Sequence, residues 1–362
     1  MYSENKRHRD YSSIAFTQFS ILNNSCRTLL VLSLVIINLP VLHGCHSSML
    51  YQDGGLTAES PQSAVKVAVH NIPAQELRHT DVLVFNNDPL QRMECYQRFE
   101  GSFGEELKIG SQKGEKIMVI CANSHWNEDD WKSIGSYSGL AEVKADLENE
   151  SAEFPLLTAT AELTAGSNGS NIATLERLTA EIVLNSICFD FKDRPYRGEK
   201  VSDIKVYLTN VNATCSILTG SHCSPERIIN HGRLMNADME GFADSRILMR
   251  SISDPVGSER IYPDFRFICY GNTAREESIG SPFTRLVIEG TISGETWYWP
   301  ITINRGCGND HEGIKRNTTY GYDITIRRKG SKDPDTPVEL NETEIQLEVG
   351  QWKEKDGYTV GF

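Results

Sequence analysis

Short runs of alternating apolar residues, separated by turn residues, constrain this chain most. Residues 64–70 carry β-branched side chains at Val65, Val67 and Val69, a period of two that is typical of a strand with one buried face. Similar runs recur along the whole chain and are divided by clusters of Gly, Pro, Asn and Asp, which favour turns. Many short strands with this punctuation predict an all-β fold of sandwiches or barrels, with a few short helices.

The first half of the chain combines strands with two predicted helices. Residues 116–122 are apolar on both faces, which indicates a central strand covered on both sides. Helices are predicted over residues 127–134 and 138–147, with Ser138 as the cap of the second. Residues 165–170 (AGSNGS) are the clearest internal linker. We therefore expect an N-terminal sandwich domain over 64–168 and a C-terminal one over 169–362.

The second half again consists mostly of short apolar runs. We predict strands over residues 178–191, 201–210, 265–270, 284–292, 296–303, 320–327 and 344–352. Residues 212–260 are polar and irregular, and so long a stretch in a compact domain indicates a functional or mobile region.

The N-terminus has the pattern of an export signal. A basic leader precedes fourteen almost wholly apolar residues, 29–42, which as a helix span about 21 Å and fall short of a bilayer core of roughly 30 Å. The following Leu42-His43-Gly44-Cys45 is similar to a lipobox, although His43 replaces the usual small residue. We predict a signal peptide over 1–44, acylation of Cys45 and a polar tether over 45–63. The alternative is an ordinary signal peptide that contains a cysteine.

Charge and cysteine content restrict the partners and the chemistry. A formal net charge of −13 argues against nucleic acid, which needs a basic surface. Cys215 and Cys223 flank a short polar turn and form the best candidate disulfide in an oxidising compartment. No Gly-x-Ser-x-Gly motif, phosphate-binding glycine loop or Cys-x-x-Cys is present, so we predict neither an enzyme nor a metal or other cofactor. We interpret Trp297 and Trp299 as residues that pack in the core. The alternative is that they form a flat aromatic surface that binds carbohydrate.

Several segments together resemble the fimbrillin superfamily, the subunits of type V pili in Bacteroides-like and Porphyromonas-like bacteria. The resemblance covers essentially the whole chain after Cys45 and depends on the order of loosely matching segments. In order, these are Cys45, residues 64–70, Arg78, 81–85, 114–123, 140–147, 154–158, 175–183, 264–272, 284–288, 297–301, 314–320, 330–335 and Trp352.

This resemblance implies two transthyretin-like β-sandwich domains in tandem and a mode of assembly. Stalk subunits are exported as lipoproteins and then cut after a basic residue beyond the first strand, and Arg78 is the only arginine between residues 70 and 81. The groove left by the first strand is filled by a C-terminal strand of the next subunit. The matching donor strand alternates through Ile345, Leu347 and Val349.

The resemblance also implies a place and partners. It predicts a fimbrium at the cell surface, held in the outer membrane by lipid on Cys45, with other fimbrial subunits and a host ligand as partners. Two roles stay open: a stalk or accessory subunit that is cut at Arg78, and an anchor that keeps its lipid, which the short loop over 71–80 favours. A non-polymerising surface lipoprotein that binds glycan or host protein is the alternative function.

Overall fold

A computed structural model describes residues 62–69, 77–101, 106–165, 171–219, 227–305, 313–336 and 345–351. These residues all belong to one compact unit, Leu56–Phe362. The strands are β1 Gln62–Val69, β2 His79–Asn86, β3 Met93–Glu100, β4 Glu106–Gly110, β5 Gly114–Ala122, β6 Lys144–Asp146, β7 Leu157–Ala165, β8 Asn171–Arg177, β9 Thr179–Phe189, β10 Ser202–Thr209, β11 Val211–Asn212, β12 Thr214–Ser216, β13 Ile228–Ile229, β14 Met249–Ile252, β15 Phe265–Tyr270, β16 Arg285–Ile292, β17 Glu295–Thr302, β18 Thr318–Ile326 and β19 Ile345–Gln351. The helices are α1 Glu128–Lys132, α2 Tyr137–Ala141 and α3 Asn236–Met239.

The first sandwich is built from one sheet that folds over itself. Its strand order is β3-β2-β5-β7-β8-β1-β4. The β7–β8 pairing is limited to the two residue pairs Leu157 with Arg177 and Thr158 with Glu176, so the strands diverge there into two layers. The layer β3-β2-β5-β7 packs on the layer β8-β1-β4 around a first core. This first core contains Leu77, Val82, Val84, Ile109, Met118, Ile120, Ala122, Leu157, Ala159, Leu163, Ala165, Ala173 and Leu175.

The strand β5 is buried on both faces, as its sequence predicted. Met118 and Ile120 face the first core, while Val119 and Cys121 belong to a second core on the opposite face. Trp131 of α1 and Leu140 of α2 belong to that second core as well.

The two predicted helices are both shorter in the structure. Asn127 caps α1 in a capping box with Asp130. The expected helix over 138–147 was wrong beyond its first turn: Ser136, and not Ser138, caps α2, and Lys144–Asp146 form β6. The reason is tertiary, because β6 pairs antiparallel with β12, some 70 residues further along the chain.

The second sandwich consists of two four-stranded sheets. Their orders are β14-β10-β16-β17 and β15-β9-β18-β19. Buried aromatic side chains fill the space between them and belong to the second core, among them Phe189, Phe267, Trp299, Tyr320 and Tyr322. In the second sheet β18 runs parallel to β9 and antiparallel to β19, which lies at the sheet edge. The predicted all-β class is confirmed.

The region 212–260 connects the two sandwiches. Cys215 of β12 pairs with Ala145 of β6, and the Leu147 N–H donates to the Ala213 carbonyl at 2.8 Å. On the other side of the junction, Arg316 precedes β18 and donates to Thr158 Oγ1 of β7 at 2.9 Å. It also donates to two carbonyls of β8, those of Glu176 (2.8 Å) and Arg177 (3.1 Å). Part of this irregular stretch is therefore structural.

Candidate functional site

The first strand occupies an interior position in the first sandwich. Residues 62–66 of β1 pair antiparallel with β4, and residues 65–69 pair parallel with β8. On the flanking strands, Ile109 of β4 and Ala173 and Leu175 of β8 are buried in the first core. Loss of β1 would therefore separate β4 from β8, leave a backbone edge unpaired on each of them, and open the first core between them.

The predicted processing residue lies at the start of β2. Arg78 is exposed and directly precedes His79, the first residue of β2, while Leu77 before it is buried in the first core. The Arg78 N–H donates to the side-chain oxygen of Asn123 at 2.9 Å, and its carbonyl accepts from the Gly101 N–H at 2.6 Å. The backbone of Arg78 is therefore held on both sides.

The side chain of Arg78 rests on an aromatic ring. Its guanidinium carbon lies 3.6 Å from the centroid of the Phe154 ring, which is within the range of a cation–π contact. The Arg78 side chain is therefore exposed to solvent on one side and packed against an aromatic ring on the other.

Asn123 follows β5 and joins three segments at this point. Its φ of 60° lies in the left-handed region, which Asn tolerates better than most residues. Its N–H donates to the His79 carbonyl at 3.0 Å, and its side-chain amide donates to the Pro155 carbonyl at 3.0 Å. With the bond from Arg78, one asparagine fixes both residues of the Arg78–His79 bond.

A buried charged group holds β2 just beyond this bond. The Asp81 side chain is fully buried and accepts from Arg98 Nε at 2.7 Å, Tyr96 Oη at 2.6 Å and Ser124 Oγ at 2.7 Å. His79 Nε2 lies 3.2 Å from Ser124 Oγ. These charge-assisted bonds satisfy the carboxylate, as a buried charge requires.

The charges of this group reinforce one another. Burial raises the pKa of the Tyr96 hydroxyl, and its hydrogen bond to Asp81 raises the pKa further. The hydrogen bond from Arg98 to Asp81 raises the pKa of the guanidinium. A neutral hydroxyl donor and a permanent cation therefore both face the Asp81 carboxylate.

The predicted donor strand forms the outer strand β19. It pairs with β18 from Ile345, opposite Ile324, to Gln351, opposite Thr318. Ile345 and Leu347 are half-buried and pack on the second core, whereas Val349 is 51% exposed. Residues 352–362 lie outside the described part of the chain.

Other predicted site residues are not brought into this region or lie outside the described residues. Cys45 and Cys223 are outside them, so the acylation site and the Cys215–Cys223 pairing stay predictions, while Cys215 itself is buried.

Trp299 is buried in the second core and donates from Nε1 to the Arg328 carbonyl at 3.0 Å. Trp297 is half-buried, and the Lys332 ammonium lies 3.6 Å from the centre of one of its rings.

Neither a metal site nor a membrane-spanning helix is found in the described ranges. Within them, no group of three or more His, Cys, Asp or Glu side chains is placed to hold a metal ion. Within the same ranges, no helix is long and apolar enough to span a bilayer.

Comparison with known proteins places the fold. No protein-family model and no curated protein sequence matches the chain. Among solved structures, a candidate cell-adhesion protein from Parabacteroides distasonis matches with a TM-score of 0.60 and 18% identity, covering 81% of this chain and 97% of that one. A fimbrilin from Porphyromonas gingivalis matches with a TM-score of 0.58 and 15% identity, covering 82% and 99%. A candidate cell-adhesion protein from Bacteroides eggerthii matches with 0.56 and 18%, covering 81% and 96%.

At these identities the likeness is one of fold. The fold expected from the order of the sequence segments is therefore the fold that this chain shares with the Porphyromonas gingivalis fimbrilin.

The sequence did not reveal the residues around Arg78. Asp81 was only the first residue of an apolar run, and Asn123 only the end of a strand. One signal was available: an Asp that opens a buried strand needs a partner, and Arg98 on the next hairpin strand is a natural one. The contact between Asn123 and Arg78 gave no such signal.

Proposed function

We propose that this chain is a structural subunit of a cell-surface fimbria, assembled by strand addition and supporting adhesion. The position of β1 carries the proposal. This strand is the first in the described fold, lies between β4 and β8, and is followed by exposed Arg78. The fimbrilin with the same fold supports the assignment.

The physical basis is the exchange of one strand for another. Removal of β1 leaves two unpaired strand edges and opens an apolar core, and both defects are corrected by an added strand. The donor we propose is β19 together with the tail to Phe362. Its inner residues Ile345 and Leu347 are only half-buried and Val349 is 51% exposed, so it leaves its own sheet at a modest loss of apolar burial.

Two states of the chain then correspond to two roles. An intact chain with acylated Cys45 keeps β1, stays on the outer membrane and has no groove to fill. A chain that begins at His79 has lost both the lipid and β1, and accepts the donor strand of another subunit. The anchor and stalk roles are distinguished by whether the bond after Arg78 is cut.

The test compares chains that differ only in these strands. We expect residues 79–362 to form ladders in unboiled detergent gels, and residues 46–362 to stay monomeric because β1 fills the groove. A chain of residues 79–344 should fold but form no ladder. A synthetic peptide with the sequence of Gln62–Val69 should suppress the ladders, and a peptide of the same composition in scrambled order should not.

Folding of the truncated chain needs its own control. If residues 79–362 do not fold alone, the acceptor is prepared from folded 46–362 with a specific protease site placed in residues 71–76. A folded acceptor that stays monomeric at every concentration, with its donor strand intact, contradicts strand addition.

A further inference from the structure

We propose that Asn123, Gly101 and Phe154 form a latch over the Arg78–His79 bond, so that an arginine-specific protease cuts it only after residues 77–79 have left their places. We call these three residues the latch. The inference rests on the proposed function, since it concerns the control of the processing step.

The first argument concerns the backbone. Proteases bind their substrates as extended segments through the N–H and C=O groups around the bond that is cut, in the manner of strand addition. Here the Arg78 N–H donates to Asn123, the Arg78 carbonyl accepts from Gly101, and the His79 carbonyl accepts from the Asn123 N–H. These groups are already paired, so the folded segment cannot offer them to a protease.

The second argument concerns side chains on both sides of the bond. An arginine-specific protease must enclose the guanidinium of Arg78, which stacks on the Phe154 ring at 3.6 Å. The preceding side chain, Leu77, is 6% exposed and lies in the first core. Binding to the protease therefore requires both side chains to leave their contacts.

The third argument explains why the opening stays local. The Asn123 side chain is tied to the Pro155 carbonyl, next to Phe154, so the parts of the latch hold one another. Just beyond the bond, Asp81 is fixed by Arg98, Tyr96 and Ser124. Residues 77–79 can therefore detach while the remainder of β2 stays paired, and the cut leaves a new N-terminus at the start of an intact strand.

The decisive variant is Asn123→Gly. Glycine adopts the left-handed backbone at φ 60° without strain, so the change removes the side-chain hydrogen bonds to Arg78 and Pro155 and keeps the turn. When opening is fast, cleavage follows the population of the open form. Loss of about one net hydrogen bond then makes cleavage at Arg78 roughly fivefold faster. Phe154→Leu, which removes the ring from Arg78, should give a smaller acceleration of about threefold.

Each variant has a matched control. Asn317→Gly changes another left-handed asparagine, with φ 52°, at the turn before β18. Phe283→Leu removes a ring from beneath a second arginine, Arg305, at 3.8 Å. The Asn317 N–H donates to the Thr179 carbonyl and the Phe283 ring lies beneath Arg305, so neither control should change the rate of cleavage at Arg78.

The measurement uses folded residues 46–362, an arginine-specific cysteine protease and mass spectrometry of the fragment that begins at His79. The latch predicts slow cutting of the unmodified chain and faster cutting of both latch variants. Both variants should stay folded under the assay conditions, with slightly lower urea midpoints, because the lost contacts also stabilise the folded state against unfolding. Equal rates for the unmodified chain and Asn123→Gly overturn it, and so does equal acceleration by Asn317→Gly. Resistance of all folded variants, with rapid cutting of the unfolded chain at Arg78, also overturns it. These rates do not depend on polymerisation, so failure to form ladders would reject the proposed function and leave the latch standing.

Discussion

Arg316 offers the sharpest test of how the two sandwiches are joined. Its side chain is 15% exposed, and burial lowers the pKa of the guanidinium. Nε donates to the Arg177 carbonyl at 3.1 Å, and one terminal nitrogen donates to the Glu176 carbonyl at 2.8 Å and to Thr158 Oγ1 at 2.9 Å. One side chain at the entrance to β18 thus binds the two strands at which the first sandwich divides into layers.

The cost of Arg316→Ala follows from these acceptors. Each hydrogen bond contributes about 1 kcal/mol net, and a buried acceptor that loses its donor costs at least as much. For three acceptors, we expect the free energy of unfolding to fall by about 3 kcal/mol, a large part of the roughly 5–15 kcal/mol that stabilises a typical domain. Arg316→Lys should recover only a small part, because one ammonium does not reproduce the planar fork of donors.

The assay is urea unfolding of residues 46–362, followed by tryptophan fluorescence and far-UV circular dichroism. If the contact couples the sandwiches, we expect the two signals to coincide in the unmodified chain and to separate in Arg316→Ala. Arg246→Ala is the control, because Arg246 pairs with Asp244 on the exposed surface, and it should leave the midpoint unchanged. A loss below about 1 kcal/mol for Arg316→Ala would refute the reasoning.

Three further predictions concern other parts of the fold. Asp81→Ala leaves Arg98 without its buried carboxylate and should cost about 3–5 kcal/mol in urea unfolding, and a cost near zero would show that Arg98 finds another partner. Burial raises the pKa of Glu150 from its usual 4.5 to about 7, so the folded state favours the neutral acid. The contribution of Glu150 to stability should therefore be complete below pH 4.5 and should be lost as the pH rises through about 7. Glu150→Gln should remove that part of the pH dependence in a series of urea titrations. Gly330→Ala would place a Cβ 2.0 Å from the Tyr298 carbonyl oxygen, so we expect a loss of about 1–3 kcal/mol, whereas Gly294→Ala, with open space around its Cβ but a φ of +80°, should show only the backbone cost.

Strand positions were the most predictable feature of the chain. The runs predicted over 265–270 and 296–303 correspond to β15 and β17. The run over 116–122, which is apolar on both faces, lies in the buried central strand β5. Side-chain alternation is a local property, since it depends only on which faces of a strand are buried. The order of the loosely matching segments indicated a resemblance to fimbrillins, and a solved fimbrilin shares the fold of this chain.

The helix over 138–147 shows where local reasoning failed. Its apolar spacing suits a helix, yet residues 144–146 pair with β12 from the second half of the chain. Backbone pairing with a distant strand outweighed a weak local preference. The same reason explains why the polar stretch over 212–260 was not recognised as part of the junction.

The sequence by itself determined the all-β class, the alternation of β1 and β19, and the presence of one arginine between the first two strands. Only the tertiary structure decided that β1 lies between β4 and β8, that β19 is an edge strand, and that Arg78 is held by Asn123 and Phe154. The physical reason is separation along the chain. Alternation is set by neighbours two residues apart, whereas the Arg78 contact joins residues 45 positions apart, which only the packed sandwich brings together.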